Sequence, residues 1–533
     1  MSGFRDIADA ALAAEYRERG WWGDLVLGDA VARLASERGD DPAFVTDRAR
    51  CSWSAYETLS DRLAGVLCAH FDVGARVAVW LPDGAAVHIA FLAAEKAGLT
   101  VVGVGSRAGD HEIAHLLDAT GAVGIVTLAE HRGRDTRTAP LGGRVHVVVP
   151  DFDIDPDGDV LVGGAPVQPA AVDATRRLRP DDLFMLNSTS GTTGLPKIVR
   201  HTQNRWMYFH QKAVEHGALS SDDVFASLVP APFGFGLWTA HFTPTLLGVP
   251  TILTEGFSAE RALELLERER VTVLCCVSTQ FVMLLASETF ERADLSSLRV
   301  MFTGGEMIPY ERARAFEART GATVLQFFGS NETGLLSGTR ATDPPEARLT
   351  TAGRVVPEMH VRLFDAGRDV TASGRGQPGG RGPALSMGYL DDVDANAELY
   401  TPDGWMLMGD ICTVDEEGYL SVVGRVSDFI IRGGKNISAR QVEDAVATHP
   451  AVALSAAVAR PDAVFGERVC VFVELRTAGE LTLPELTAHL EARGIAKELW
   501  PEHLVVLDAL PRSSGGKVAK GELRDAARTL ATP

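Results

Sequence analysis

The opening third of the chain alternates short apolar runs with longer, helix-periodic ones. Val77-Ala78-Val79-Trp80-Leu81 reads as a buried strand, Ala85 to Ala97 as an apolar-faced helix, and Val101-Val102-Gly103-Val104 as a second strand. A helix from Asp110 to Asp118 and a strand Gly124-Ile125-Val126-Thr127 follow. Such punctuation predicts parallel strands covered by crossover helices. The segment from Asp151 to Pro169, rich in Asp, Gly and Pro, is expected to be an exposed excursion.

The alternation resumes in the second third. It predicts helices from Ala259 to Glu269, Phe281 to Ser287 and Glu311 to Arg319. Between and after them come strands from Val271 to Cys276, Val300 to Phe302 and Val324 to Phe328. After Val361 the character changes. The tract Ser373-Gly374-Arg375-Gly376-Gln377-Pro378-Gly379-Gly380-Arg381-Gly382-Pro383 is expected to be neither helix nor central strand, since proline brings no ladder donor and glycine weakens a strand. Short strand-like pieces around it suggest a small β-rich unit on an α/β body. From Gly424 onward a compact α+β piece of about one hundred residues closes the chain, within the usual domain range.

Length and charge narrow the possibilities. A chain of 533 residues exceeds one ordinary core, and at roughly 150 residues per unit it suggests two to four structural units. Hydrophobic residues at 46% and charged residues at 23% describe a soluble globular protein. A net charge of −20 argues against a general nucleic-acid or anionic-membrane binder, while leaving room for a local basic pocket. No apolar stretch approaches the roughly 18 residues of a membrane span, and Met1-Ser2-Gly3-Phe4-Arg5-Asp6 lacks a secretory pattern. Cys51, Cys68, Cys275, Cys276, Cys412 and Cys470 show no metal-binding spacing, and adjacent Cys275-Cys276 reads as core. The expectation is a reduced, cytoplasmic protein without a cysteine metal site, with soluble magnesium left open.

The chemistry concentrates in Ser188-Thr189-Ser190-Gly191-Thr192-Thr193-Gly194-Leu195-Pro196-Lys197, which follows the strand-like run Leu183-Phe184-Met185-Leu186. Five hydroxyls, two glycines and a lysine in ten residues suit a loop that wraps polyphosphate. Glycines let backbone N–H groups approach the oxygens, hydroxyls donate, and lysine supplies a compact positive charge. The spacing is not that of the common nucleotide-triphosphatase loop, which needs four residues between glycine and Gly-Lys-Ser/Thr.

Four further segments carry candidate chemistry. Phe327-Phe328-Gly329-Ser330-Asn331-Glu332-Thr333-Gly334 places a carboxylate just past a strand end, where open α/β sheets hold ligands. Thr303-Gly304-Gly305-Glu306 is a glycine turn after another strand, and Trp405-Met406-Leu407-Met408-Gly409-Asp410 ends in Gly-Asp. Near the end, Pro511-Arg512-Ser513-Ser514-Gly515-Gly516-Lys517-Val518 sets a lysine beside two glycines. Singly, each of these is an ordinary turn.

Together with Gly424-Arg425-Val426-Ser427-Asp428-Phe429-Ile430-Ile431-Arg432-Gly433-Gly434-Lys435-Asn436-Ile437-Ser438, they stand in the order of the motifs of the adenylate-forming superfamily, which the chain resembles from Ser188 to Lys517. That group includes acyl-CoA synthetases, aryl-acid adenylating enzymes, peptide-synthetase adenylation domains and luciferases. The resemblance implies a large N-terminal domain over 1–426, binding ATP and acid, and a small mobile C-terminal domain over 427–533 that swings about Ser427. It implies that Ser188, Thr189, Ser190, Gly191, Thr192, Thr193, Gly194 and Lys197 hold the phosphates. Glu332 would hold Mg²⁺, and Phe328, Gly304, Gly305 and Glu306 would border the adenine. Asp410 and Arg425 would meet the ribose, and Lys517 would be the catalytic lysine of a mobile loop. Gly433-Gly434 would let a thin pantetheine chain pass close to backbone. The chain departs from the family at Asn331, usually Thr, and at Ser427, usually Asp or Lys.

Pro232-Phe233-Gly234-Phe235-Gly236-Leu237-Trp238 resembles the pocket-lining segment of members that take aryl or alicyclic acids, and equally fits the start of a buried helix. No Arg or Lys occurs between Pro230 and Gly248, so no basic anchor for a second acidic group is visible there. Phe233, Phe235, Ser278 and Gly329 are the candidate pocket residues. The implied activity is ATP-dependent conversion of such an acid to its acyl-adenylate and transfer to CoA. The alternatives are loading of a separate carrier protein's thiol, a non-thiol acceptor such as an amine, and another oxyacid such as nitrite. A non-catalytic nucleotide-binding regulator would be expected to have lost Glu332 or Lys517, and both are present.

Overall fold

The computed structural model describes residues 10–139, 141–189, 196–304, 310–425, 429–432, 435–462, 464–477, 479–512 and 518–530, with backbone placement alone at 10, 425, 435 and 436. Among the described residues the chain forms four principal sheets. The first has nine strands, with a parallel centre of Thr323–Ser330, Val300–Gly304, Val273–Cys275, Phe225–Ser227, Thr251–Leu253 and Pro42–Val45. The second has eight, with parallel strands Val145–Val148, Gly124–Thr127, Arg76–Trp80, Thr100–Gly103 and Met185–Ser188. Antiparallel hairpins close the edges of both, because a short connection can only return the chain antiparallel.

The expected helix Ala85–Ala97 is present, and every one of its residues is buried. It lies in the largest apolar cluster, which draws on strands of both parallel sheets. A helix buried all round must be apolar all round. Its two charges are met internally: Lys96 Nζ lies 2.8 Å from Glu57 and 2.7 Å from Asp61, while Glu95 faces Gly28 N–H at 3.1 Å. Cys275 and Cys276 are core residues, as expected, and all six cysteines are free thiols. Among the described residues, no helix is long and apolar enough to cross a membrane.

The excursion after Asp151 is largely exposed, as expected, and within it Leu161–Val162 and Ala165–Pro166 extend the second sheet's edge. Two expectations are corrected. The helix expected from Phe281 begins three residues earlier, as Ser278–Ala286. The tract judged unfit for a central strand contains one: Arg375–Arg381 lies inside a six-stranded sheet, between His360–Asp365 and the strands Met406–Leu407 and Asp410–Val414. Pro378 is tolerated because the partner strand changes beside it. Met408 donates to Pro378 O at 2.9 Å, and Gln377 Nε2 donates to the Met408 carbonyl, next to a proline that has no N–H to offer.

That sheet ends with Leu420–Arg425, and a five-stranded sheet begins with Phe429–Arg432. The latter is built on the long hairpin Val452–Asp462/Gly466–Leu475 and has its own apolar core, including Ile430, Val442, Val471 and Leu486. Helices Ala439–Val446, Leu483–Ala492 and Lys520–Thr529 complete this α+β piece.

Candidate active site

The strand Met185–Ser188 ends the parallel run of the second sheet and turns back into Ile198–His201. Thr189 N–H donates to Lys197 O at 2.9 Å, closing the base of the hairpin. Ser188, Thr189 and Lys197 therefore frame the expected phosphate loop, while Ser190, Gly191, Thr192, Thr193 and Gly194 lie outside the described residues. Lys197 Nζ stands 5.1 Å from the centroid of the Tyr389 ring and 3.9 Å from exposed Glu398.

A second hairpin, between Thr323–Ser330 and Gly334–Gly338, carries Glu332. Ser330 Oγ accepts the N–H groups of Glu332 and Thr333 at 3.2 and 3.1 Å, and Thr333 Oγ1 accepts Ser330 N–H at 3.2 Å. Hydroxyl side chains thus supply the polar partners that so tight a turn denies its backbone. A Cβ on Gly329 would lie 1.6 Å from Gly334 O, and Gly334 has φ +62°, so both positions require glycine. Glu332 Oε1 accepts the Tyr389 hydroxyl at 2.7 Å. Phe328 is half-buried one residue before this crossing.

The third component is the segment that begins at Pro230. Phe233 precedes the short helical turn Gly234–Gly236, which continues into π-helical Leu237–Phe242 and then Thr243–Leu247. The run thus starts a helix, one of the two readings of its sequence, and π turns recur at functional sites. Phe209, Trp238 and Phe235 form a stack, with centroids 5.2 and 5.6 Å apart and planes within 26° and 22°. Phe302 stands perpendicular to Trp238 at 5.2 Å. Phe235, at the open end, is half-buried.

Asn331 joins the three components. Its Oδ1 accepts Gly234 N–H at 3.2 Å and its Nδ2 donates to Ser188 O at 3.3 Å. A second chain of bonds runs beneath. Arg205 donates to Asn331 O at 2.8 Å, to Ala384 O at 2.9 Å and to His201 Nδ1; His201 Nε2 faces Asn187 Oδ1 at 2.7 Å; Asn187 Nδ2 donates to Pro232 O at 2.9 Å. Burial lowers the Arg205 pKa to about 9, opposed by the charge of Glu332. Burial and the neighbouring Arg205 hold the His201 pKa well below its usual range. A neutral His201 that accepts at Nδ1 and donates at Nε2 satisfies both contacts.

Elsewhere, Asp410 opens the strand Asp410–Val414 and is the register partner of Arg425. The ribose candidates are thus adjacent backbone positions. Gly304 ends its strand opposite Phe327, where a Cβ would come 2.9 Å from the Phe327 carbonyl oxygen. Ser278 opens its helix and is buried, and that helix joins the Leu228 carbonyl through Gln280 Nε2. Gly305, Glu306, Ser427, Gly433, Gly434 and Lys517 lie outside the described residues; Arg512 and Val518 pair across the last of these segments. Sequence reasoning did not single out Tyr389, Arg205, His201 or Asn187. The only cue to Tyr389 was a Gly-Tyr pair a few residues beyond the glycine-rich tract.

The chain matches the AMP-binding enzyme family over residues 31–390 and the AMP-binding enzyme C-terminal domain over residues 441–517. It is 31% identical to the medium-chain fatty-acid–CoA ligase of Escherichia coli, over 96% of this chain and 92% of that one. It is 32% identical to a salicylyl-CoA synthase / salicylate adenylyltransferase of a Streptomyces species, over 97% and 96% respectively. The crystal structure of an anthranilate CoA ligase in complex with anthranoyl-AMP has the same fold, with a TM-score of 0.83 at 22% identity, covering 95% of this chain and 98% of that one.

Proposed function

This chain belongs to the AMP-binding enzyme family, and we propose that it activates an aryl or alicyclic carboxylic acid with ATP and transfers the acyl group to the thiol of CoA. A carboxylate is a poor acyl donor because oxide is a poor leaving group. Attack of its oxygen on the α-phosphorus of ATP breaks the bond to the β-phosphate bridge, releases pyrophosphate and forms an acyl-adenylate. A thiol then attacks the acyl carbon, AMP departs with the bonding pair, and the thiol proton is lost to solvent. No nucleophilic side chain is required.

The observation that carries this reading is Asn331 bonded to both Ser188 and Gly234. It brings the C-terminal ends of two parallel sheets, a phosphate-type hairpin, a metal-type carboxylate and an aromatic segment to one place. A carboxylate and an ammonium on hairpins that face each other suit magnesium and triphosphate: Glu332 would hold the ion and Lys197 would face phosphate oxygens. Bound magnesium supplies positive charge against the charge that builds on phosphoryl oxygens. Lys517 is assigned to the reacting phosphate and carboxylate, and Asp410 and Arg425 to the ribose. The small domain is taken to begin at residue 427 and to withdraw Lys517 before the thiol enters.

The aryl preference rests on the Phe209–Trp238–Phe235 stack, whose half-buried end offers a face for a further ring. Support for CoA comes from the two named CoA-dependent relatives and from the Arg432-Gly433-Gly434 wording. One observation favours a carrier-protein thiol as the second reading. Ile431, Val464 and Phe465 are 52%, 81% and 43% exposed, and Arg432 pairs with Gly466, so the stretches that carry these exposed apolar residues lie side by side.

Pyrophosphate release with a panel of aryl, alicyclic and fatty acids, each with and without CoA, tests both points. CoA-stimulated turnover that peaks on aryl or alicyclic acids is expected. Turnover that stops at the adenylate whatever CoA is supplied overturns the CoA assignment, and a preference for long aliphatic chains overturns the acid class.

A further inference from the structure

Tyr389 stands between the two charged groups of the site and belongs to neither motif. Its hydroxyl donates to Glu332 Oε1 at 2.7 Å, and the Lys197 ammonium lies 5.1 Å from its ring centroid. The residue is only 8% exposed. Its backbone is pinned on both sides: Tyr389 N–H donates to Asn396 Oδ1 at 2.8 Å, and Asn396 Nδ2 donates to Tyr389 O at 2.9 Å.

The segment around Tyr389 is itself stitched to both hairpins. Ser386 N–H donates to the Glu332 carbonyl at 2.7 Å. Arg200 N–H donates to Gly388 O at 3.0 Å, Met387 N–H to Arg200 O at 3.0 Å, and Leu390 N–H to Ile198 O at 2.8 Å, along the strand that leaves the phosphate loop. A phenol fixed in this way can hold a carboxylate in one orientation, and its electron-rich face attracts an ammonium.

We infer that Tyr389 is a positioning residue of the magnesium–triphosphate site: it orients the Glu332 carboxylate through Oε1 and couples it to Lys197. This rests on the assignment of Glu332 as the metal-holding carboxylate. Partners in the shell behind a metal ligand set its direction, and removing one costs metal affinity without removing the ligand.

The test uses the full chain, with Mn²⁺·ATP binding followed by electron paramagnetic resonance and ATP binding in EDTA followed by calorimetry. Tyr389→Phe is expected to weaken Mn²⁺·ATP by about tenfold while leaving metal-free ATP affinity and the melting temperature near wild type. In a Glu332→Gln background the same change is expected to have no further effect. Wild-type Mn²⁺·ATP affinity in Tyr389→Phe, or an equal loss in EDTA, overturns the inference. If Glu332→Gln alone leaves Mn²⁺·ATP affinity unchanged, the metal assignment of Glu332 fails instead, which separates the two claims. If Tyr389→Phe does not fold, Tyr389 is a structural residue and the inference falls.

Discussion

Asn331 Oδ1 accepts the backbone N–H of Gly234 at 3.2 Å across 97 residues of chain. This bond joins the turn that carries Glu332 to the aromatic segment. The other end of the same amide reaches Ser188 O, so one side chain sets the spacing of three loops. A threonine at this position could not span both contacts, because the donor and the acceptor would be one oxygen on a shorter side chain, not two separate atoms.

Replacing Asn331 with Ala is therefore expected to disturb alignment more than stability. Each net hydrogen bond is worth about 1 kcal/mol, so kcat/KM for the acid should fall by about tenfold or more while the melting temperature moves by only a few degrees. Pyrophosphate release at varied acid, with parallel thermal melts, checks this. A variant that melts far earlier, with activity lost in proportion, would mean that the bridge is merely structural.

Asp410 and Arg425 are register partners on adjacent antiparallel strands. If the pair meets the ribose, Asp410→Ala should weaken ATP binding by about tenfold through lost charge-assisted bonds and leave the affinity for the acid nearly unchanged. Calorimetric titration with each substrate separates the two. Equal losses for both ligands would remove the ribose assignment.

Lys517→Ala should slow adenylation by about a hundredfold or more, the usual cost of losing a charge aimed at the transition state, while ATP binding and folding persist. Single-turnover formation of the acyl-adenylate measures that step directly. Wild-type rates would refute the role given to this lysine.

Glu95 supplies a pH signature remote from the chemistry. It is fully buried in helix Ala85–Ala97, and burial raises its pKa from 4.5 to about 7 against the opposing pull of Arg177. The folded protein therefore binds this proton more tightly than the unfolded chain. The resulting stability is complete below pH 4.5 and is lost as the pH rises through about 7. Glu95→Gln should flatten stability across that window and gain about 1–2 kcal/mol on its alkaline side. Urea denaturation of both proteins on either side of the window checks this, and parallel curves would count against a protonated Glu95.

Much of the fold is written in local periodicity. The boundaries of Ala85–Ala97 and Gly124–Thr127 follow from apolar spacing alone, because helix and strand periods are properties of neighbouring residues. The two hairpins that frame the proposed site were likewise marked in the sequence, since glycines and hydroxyls at a strand end signal a tight turn. The tract around Pro378 was misjudged for a physical reason. Whether a proline fits a central strand depends on which partner faces its missing donor, and here the partner strand changes while the Gln377 amide serves the carbonyl alongside.

Which residue types the site would need was therefore determined by the sequence alone, together with the strand ends on which they would stand. Only the tertiary structure decided what holds them in place: Tyr389 against Glu332, and Asn331 between Gly234 and Ser188. These contacts join residues 57, 97 and 143 positions apart. No spacing rule reaches that far, because the distance between two loops is set by how whole sheets pack and not by the chain that links them.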